Sequence, residues 1–255
     1  MVRYSQMLKY RKCPRLYAFD QMGYEIPIMP EPVTTGSLVH SGLAYYYSGK
    51  SGMAGIVEAE QLYYNQLSVI KDGAEYQKAK EQVARSSQKA QEILARWLSG
   101  DARQYKLIAV EPELQRDGVV THPDLVAYMG EDIVIVDFKT GRSPDVRYLD
   151  MSGQVDLAAY MLDGKPSLVV YQVISEESGI WKHVRPPRLA QGEAIFWQIA
   201  NLVSLDAKVC LRYPHPVFDC PNRCPFFLPC YTLETCGVEA AIDILDSQYR
   251  KVEQP

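Results

Sequence analysis

The chain has 255 residues, 47% of them hydrophobic, which is enough to bury one large core or two small ones. No apolar run approaches the roughly 20 residues that span a bilayer, and the segment Met1–Gln6 lacks the apolar core of a signal peptide. We therefore expect a soluble, cytoplasmic protein that has no membrane partner. With a net charge of -4, the protein as a whole does not attract polyanions. A polyanionic partner would therefore have to bind at a local basic patch.

The N-terminal part of the chain is predicted to be helical. Ser5 is a suitable N-cap for the first helix, and Cys13–Pro14 interrupts that helix. The segment carries a local concentration of positive charge. A functional basic patch and an ordinary solvated helix face explain it equally well. Its basic residues are Arg3, Lys9, Arg11, Lys12 and Arg15. Helices are expected over residues 5–23, 34–46, 54–71 and 76–99. The two longest patterns predict a helical insertion, about 41–104, ahead of the first strand.

Gly36 and His40 lie four residues apart in the second predicted helix. They share one helix face, and glycine leaves that face open to close approach by another element. A lone histidine on an apolar helix is more often a hydrogen-bonded core residue than a functional one. His40 is therefore a candidate that needs other polar residues nearby.

From Leu107 onward the apolar pattern changes to the strand period. The turns Asp117–Gly118 and Gly130–Asp132 separate three strands, which predict an antiparallel meander. Strands are expected over 107–114, 118–129, 133–139, 167–175 and 180–184, and helices over 152–162 and 188–210. The predicted class is α/β, with a central mixed sheet flanked by helices, an N-terminal helical region and a C-terminal cysteine-rich loop.

The stretch Ile133–Gly141 combines a buried strand with an acid and a base. Strand side chains alternate, so Asp137 and Lys139 leave the same face while Phe138 points into the core. An isolated pair of this kind is usually a solvated ion pair. Here Asp124 begins the apolar run of the neighbouring strand, so two carboxylates and a lysine converge. Carboxylates hold divalent cations such as Mg²⁺, and a lysine beside them can orient or deprotonate a water.

Cysteines form a second cluster, near the C-terminus. Cys220, Cys224 and Cys230 lie close together in a proline-rich segment, about 211–237, whereas Cys13 stands alone near the start. Prolines remove backbone donors, so this segment is expected to be a loop that a metal centre would order. In a reducing compartment such clusters favour metal binding over disulfides.

Motifs with a family resemblance are spread over most of the chain. They are Gly36-x3-His40, Pro123–Asp124 ahead of an apolar strand, Val136–Gly141 with the sequence VDFKTG, and a helix with Gln154 and Tyr160. In this order the chain resembles the PD-(D/E)xK nucleases and, within them, the RecB-like exonucleases. The resemblance implies a restriction-endonuclease-like core in a single domain, 1–255. It also implies a metal-dependent deoxyribonuclease, an exonuclease acting on single-stranded DNA ends.

The resemblance further implies roles for individual residues. His40, Asp124 and Asp137 would ligate Mg²⁺ or Mn²⁺, and Lys139 would position the attacking water. A non-cleaving DNA-binding or assembly subunit that keeps the fold is the alternative, and the complete Asp/Asp/Lys set argues against it.

The helix after the acid–base strand departs from the family pattern. Gln154 and Tyr160 would line the site or touch DNA, but they lie six residues apart instead of the common four. Asp156 takes the position four before the tyrosine. Either Glu111 or Glu113 would supply a further acid.

The cysteines resemble those of one subset of this family. CRISPR-associated RecB-like exonucleases and the nuclease domain of AddB-type helicase–nucleases hold a [4Fe-4S] cluster with one early and three late cysteines. By this resemblance Cys13, Cys220, Cys224 and Cys230 would ligate such a cluster, with Zn²⁺ as the alternative, and a helicase or CRISPR-type protein would be a partner. The first late spacing is x3 here and x2 in the family. The two remaining cysteines are expected to be ordinary, Cys236 being the better substitute ligand.

Overall fold

The computed structural model describes residues 1–27, 29–100, 105–141, 149, 152–175, 179–212, 214 and 220–252. Its strands are β1 (Val2–Arg3), β2 (Tyr24–Glu25), β3 (Lys106–Val110), β4 (Leu114–Arg116), β5 (Val119–Thr121), β6 (Leu125–Met129), β7 (Asp132–Gly141), β8 (Leu168–Ser175), β9 (Gly179–Arg185) and β10 (Arg250–Lys251). A five-stranded sheet has the order β3-β6-β7-β8-β9, in which β7 and β8 are parallel and the other neighbours antiparallel. Two small sheets accompany it, β1-β5-β4 and β10-β2.

Helices surround this central sheet. They are α1 (Tyr4–Lys12), α2 (Pro14–Gln21), α3 (Glu31–Tyr47), α4 (Gly52–Gln66), α5 (Gly73–Ser99), α6 (Gln154–Met161), α7 (Leu189–Val203), α8 (Ala207–Cys210), α9 (Cys220–Arg223), α10 (Phe227–Cys236) and α11 (Val238–Gln248), with a 3₁₀ turn at Leu67–Val69. The predicted mixed α/β class is therefore confirmed. No helix of the described residues is both long and apolar enough to cross a membrane.

Two of the predicted strands are each broken in two. The expected strand 107–114 becomes β3 and β4, because Glu111 has a left-handed backbone (φ 42°) and Pro112 follows it. The expected strand 118–129 becomes β5 and β6, with Pro123 in the break. The predicted meander is therefore only partly right, since β4 and β5 leave the main sheet and pair with each other. This break leaves Asp124 at the start of β6.

Two predicted helices end earlier or begin elsewhere. The N-terminal helix starts at Tyr4 with Arg3 as its N-cap, so the prediction of Ser5 as cap is wrong. Cys13 separates α1 from α2 in an extended conformation (φ -163°, ψ 118°), which the following proline favours. The expected helix 188–210 is interrupted after Val203 and resumes as the short α8.

The cysteine-rich segment is mainly helical where it is described, which corrects the expected loop. Pro221 lies in α9 and Pro229 in the first turn of α10. A proline in the first turn is tolerated because its missing N–H has no partner within the helix there. Residues 213 and 215–219 of the predicted segment 211–237, and residues 101–104 of the predicted insertion 41–104, lie outside the described residues.

The two faces of the central sheet have separate cores. On one face Val136 and Phe138 pack with Leu38 of α3 and with Trp97 of α5. On the other face Ile135, Val169 and Tyr171 pack with Val155 and Ala158 of α6. Burial of β7 on both faces explains its unbroken run of β-branched residues. The end of β7 is thereby held between α3 and α6.

Gly192 on α7 allows close packing against α6, and Gly192→Ala is expected to lower the free energy of unfolding by about 1–3 kcal/mol. A Cβ at this position would lie 2.1 Å from the carbonyl oxygen of Asp156, which is backbone and cannot turn aside. This clash outweighs the gain in helix propensity of about 1 kcal/mol from alanine. Gly73→Ala is the matched control, because a Cβ there meets nothing within 4 Å. Equal urea midpoints for the two variants would contradict the packing argument.

Candidate active site

Asp124, Asp137 and Lys139 meet at one end of β6 and β7. The register pairs Leu125 with Val136, which brings Asp124 beside Asp137. The backbone N–H of Phe138 donates to Asp124 Oδ2 at 2.6 Å, and Lys139 Nζ lies 2.5 Å from Asp137 Oδ2. The predicted convergence of two carboxylates and a lysine is therefore present in the structure.

Phe138 fixes this group of side chains to the core. It is 1% exposed and stacks on Tyr47 at 5.8 Å between ring centroids, with the Trp97 ring edge-on at 5.7 Å. Because strand residues alternate, an anchored Phe138 sets the direction of the residues on either side of it. Asp137 and Lys139 are thus held on the opposite face of β7.

His40 joins the group from α3. Its Nδ1 lies 3.2 Å from Asp124 Oδ1. Gly36, one helical turn earlier, allows the approach of α3 to β7, because a Cβ there would lie 3.0 Å from Thr140 Oγ1. The expectation that glycine leaves this helix face open is confirmed, and His40 has the polar neighbours that it needed.

Burial and charge act in opposite directions on these groups. Burial raises the pKa of Asp137; the ammonium of Lys139 opposes this and the carboxylate of Asp124 adds to it, and the net shift is upward. Burial also raises the pKa of Asp124, but His40, Lys139 and the Phe138 N–H together outweigh it and the net shift is downward. For Lys139, burial lowers the pKa while Asp137 and Asp124 raise it, and the balance is upward. The ammonium form of Lys139 is therefore favoured between the two carboxylates.

The group fits a divalent cation in its chemistry. Asp137 is 3% exposed, and its Oδ2 is paired with the ammonium of Lys139 at 2.5 Å. Carboxylate oxygens are the ligands that a hard cation prefers. As the side chains stand, no three His, Cys, Asp or Glu residues of the described ranges are grouped closely enough to hold a metal ion. Binding therefore requires side chains here to rearrange.

Glu111, not Glu113, is the acid near this group. Glu111 lines a small cleft together with His40 and Asp124, and its backbone N–H donates to the carbonyl of Asp124 at 2.9 Å. Burial raises its pKa, and the Asp124 carboxylate adds to the effect. Glu113 instead lies 3.3 Å from His122 in an exposed ion pair. Position therefore favours Glu111 for the further acid, and its role there remains a prediction.

The three candidates on α6 lie apart from these carboxylates. Tyr160 faces away and packs on Phe196, with ring centroids 5.5 Å apart, beneath the guanidinium of Arg116. Tyr160 therefore lies on a different helix face from Gln154, six residues before it, and its expected role in lining the site or touching DNA remains a prediction. Gln154 begins α6 and lines a separate cleft. Asp156 is fully buried in an ion pair with Arg185, 2.7 Å away.

Tyr171 is a neighbour of the site that sequence patterns did not reveal. It pairs in register with Asp137 of β7, and its hydroxyl donates to the carbonyl of Ser152 at 3.2 Å. Burial raises its pKa, Arg185 opposes this, and Asp137 raises it further. The parallel register of β7 and β8 would have been needed to find it, and no motif in the chain encodes that register.

The four expected cluster cysteines lie near one another at the junction of the two chain ends. Burial raises the pKa of the Cys224 thiol, a backbone hydrogen bond from Phe226 opposes this, and Cys220, Cys230 and Cys13 raise it further. All of them are free of disulfides. Cys13, Cys220 and Cys230 thus lie within electrostatic range of Cys224, although no three of the described thiols are placed to bind metal as they stand.

Arg15 joins the two ends of the chain at this cluster. Its guanidinium donates to Cys230 Sγ at 3.2 Å, to Glu234 Oε1 at 2.5 Å and, through Nε, to the carbonyl of Leu211 at 2.7 Å. Cys210 is buried elsewhere, among the residues under α7, and Cys236 is exposed. Their expected exclusion from the cluster remains a prediction.

The sequence model of the PD-(D/E)XK nuclease superfamily matches residues 4–204. The matched range covers the central sheet and both carboxylates, and such a sheet with flanking helices is the restriction-endonuclease-like fold of these proteins. The class defined by fold and site is thus that of phosphodiester-cleaving enzymes, which typically use Mg²⁺ or Mn²⁺. The chain belongs to the PD-(D/E)XK nuclease superfamily.

Other comparisons are less informative. A solved structure titled "Crystal structure of SSO0001" is 15% identical, with a TM-score of 0.31, and the match covers 54% of this chain and 69% of that one. No curated protein matches the sequence at a significant level.

A cavity of about 950 Å³ between α5 and the end of α11 shares no residue with the site.

Proposed function

We propose that this protein is a metal-dependent deoxyribonuclease, acting as an exonuclease on single-stranded DNA ends. The observation that carries the proposal is the convergence of Asp124, Asp137 and Lys139 at the end of β7, inside a nuclease-superfamily fold. A solvated ion pair would have exposed side chains, whereas Asp137 is buried. Phe138, between Asp137 and Lys139, is also packed into the core. We further propose that residues 1–255 form a single nuclease domain in which 41–104 are a helical insertion.

His40, Asp124 and Asp137 would hold Mg²⁺ or Mn²⁺, and Glu111 is a third acidic group within reach of a rearranged site. The bound metal would supply Lewis-acid polarisation of the phosphate that is cut. Lys139 positions the attacking water and, as an ammonium, stabilises negative charge that develops on the phosphate. Phe138 keeps both side chains at the edge of the sheet. The hydrogen bond from the Phe138 N–H to Asp124 orients that carboxylate toward the same point.

The function is tested with single-stranded and double-stranded DNA labelled at either the 5′ or the 3′ end. We expect Mg²⁺- or Mn²⁺-dependent release of short products from single strands, and no release in excess chelator. Lys139→Ala is expected to reduce the rate about 100-fold or more, with an unchanged far-UV spectrum. Full cleavage by Lys139→Ala would overturn the assignment. Binding without hydrolysis in every divalent metal would favour the non-cleaving subunit instead.

We also propose that Cys13, Cys220, Cys224 and Cys230 hold a [4Fe-4S] cluster, as in RecB-like exonucleases, and that a helicase or CRISPR-type protein is a partner. The proposal is supported by four free thiols within electrostatic range at a junction of α2 with α9 and α10. Linking them would close a very long loop, which restricts the unfolded chain. The cluster would tie α2 to a segment that has only a small core, centred on Phe19 and Phe226.

Metal analysis of anaerobically purified protein tests this cluster. We expect a brown protein with about four irons per chain, and loss of most of the iron in Cys224→Ser. Cys210→Ser and Cys236→Ser are matched controls that remove a thiol outside the group and should keep the iron. A colourless protein with one zinc would establish the alternative metal, and full iron content in Cys224→Ser would remove that residue from the ligand set.

A further inference from the structure

Tyr171 is a fully buried aromatic residue next to the candidate active site. It pairs in register with Asp137, so the two side chains leave the same face of the sheet on neighbouring strands, about 5 Å apart. Asp137 and Lys139 also lie within electrostatic range of its hydroxyl. Tyr171 therefore forms the side of the site that faces β8.

The order of the strands decides how this ring acts on its neighbour. Asp124 lies at the start of β6, on one side of β7, whereas Tyr171 lies on β8, on the other side. The staggered rotamers of Asp137 point its carboxylate in different directions over the sheet. Because the ring of Tyr171 occupies the β8 side, the carboxylate is directed toward Lys139, with which it is paired, and toward Asp124.

Groups from two other elements hold the hydroxyl of Tyr171. The hydroxyl donates to the carbonyl of Ser152, just before α6, at 3.2 Å, and accepts from Arg185 Nη2 of β9 at 3.4 Å. The guanidinium of Arg185 also lies over the ring, 5.7 Å from its centroid. The ring is otherwise packed in an apolar core with Val155 and Val173. A phenol hydroxyl in apolar surroundings is costly unless it is bonded, so these polar partners fix where the ring lies.

Arg185 is itself held in place, so it does not follow a displaced hydroxyl. Its Nη1 and Nη2 donate to the two carboxylate oxygens of Asp156, at 2.7 Å and 3.0 Å, and Asp156 has no exposed surface. His183, also on β9, stacks on the ring of Tyr171 with centroids 6.1 Å apart. The position of Tyr171 is thus set from outside the site, by β9 and α6.

We propose that Tyr171 is a positioning residue for the reaction: its anchored ring keeps the Asp137 carboxylate directed at the metal. The inference rests on the proposed function. In this role Tyr171 touches neither the metal nor DNA, so it acts only through Asp137. A ligand that already has its productive direction makes both metal binding and the geometry of the transition state less costly to reach.

The test compares Tyr171→Phe with Tyr17→Phe. Tyr17 is the matched control, because it is 1% exposed and its hydroxyl donates to the carbonyl of Leu202, at 3.4 Å, in a core away from the site. Mn²⁺ affinity is measured without DNA, from the EPR signal of free Mn²⁺, and kcat and KM are measured with labelled single-stranded DNA at saturating Mn²⁺. We expect Tyr171→Phe to weaken Mn²⁺ binding about 10-fold and to lower kcat about 10-fold or more, with KM for DNA within about 2-fold. Tyr17→Phe loses a similar buried hydroxyl but should keep all three values within about 2-fold of the wild type.

A double-variant cycle shows whether Tyr171 acts through Asp137. Adding Tyr171→Phe to Asp137→Asn should change the Mn²⁺ affinity by less than about 2-fold, because the carboxylate that the ring directs is already gone. The inference is overturned if Tyr171→Phe binds Mn²⁺ and cuts DNA like Tyr17→Phe, or if it weakens Mn²⁺ binding equally with and without Asp137→Asn. If the wild type binds Mn²⁺ but cuts no DNA, the proposed function fails, whereas the Mn²⁺ affinities of these proteins still decide the role of Tyr171.

Discussion

Asp137→Asn is expected to reduce metal-dependent DNA cleavage by about 10³-fold or more, at saturating Mg²⁺. The substitution keeps the shape of the side chain and removes one charged oxygen from the proposed metal ligands. Asp137 is more deeply buried than Asp124, and its Oδ2 is paired with the ammonium of Lys139. Titration of the rate with Mn²⁺ should show both a lower maximum and a weaker apparent metal affinity.

The fold should survive this substitution. Lys139 still has the Asp124 carboxylate nearby, and the substitution removes one of two adjacent negative charges. We therefore expect a melting temperature within about 4 °C of the wild type. Asp243→Asn is the matched control, since it removes the same charge from an exposed site on α11. Cleavage by Asp137→Asn at more than one tenth of the control rate would remove Asp137 from the metal site.

The central acid–base pair was predictable because it depends on a local rule. Alternation along β7 places Asp137 and Lys139 together, and the apolar run before them identifies the strand. The pairing with Asp124 followed from a hairpin turn at Gly130, which has the positive φ that such turns require. These inferences need only neighbours in sequence or strands joined by a tight turn.

The parts that sequence analysis missed depend on long-range geometry. Tyr171 lies beside Asp137 through a parallel register that no turn sets. Tyr160 lies six residues after Gln154 and so on a different face of α6. The choice of Glu111 over Glu113 follows from the backbone reversal at Glu111 itself. In the cysteine-rich segment, prolines were taken as helix breakers, although Pro229 lies in a first turn, where it is tolerated.

Asp156→Ala is expected to lower the free energy of unfolding by about 3–5 kcal/mol, since it leaves the buried guanidinium of Arg185 without its anion. Asp156 has no exposed surface and accepts hydrogen bonds from Arg185 Nη1 at 2.7 Å, Arg185 Nη2 at 3.0 Å and the backbone N–H of Arg188 at 2.8 Å. The control is Asp163→Asn, just beyond α6, because asparagine tolerates the left-handed backbone there (φ 56°). It removes an exposed ion pair with Arg116 and should cost less than about 1 kcal/mol. Urea unfolding measures both.

Asp156 also occupies the position at which the family spacing would place a site residue, so activity distinguishes the two roles. If Asp156 only holds α6 and β9 together, the cleavage rate per folded molecule should stay within about 5-fold of the wild type, at a temperature where the variant is folded. Asp156→Leu combined with Arg185→Leu should recover at least about 1 kcal/mol relative to the sum of the single variants, because the uncompensated charge is gone. If stably folded Asp156→Ala loses as much cleavage rate as Asp137→Asn, the Asp156 carboxylate takes part in the chemistry.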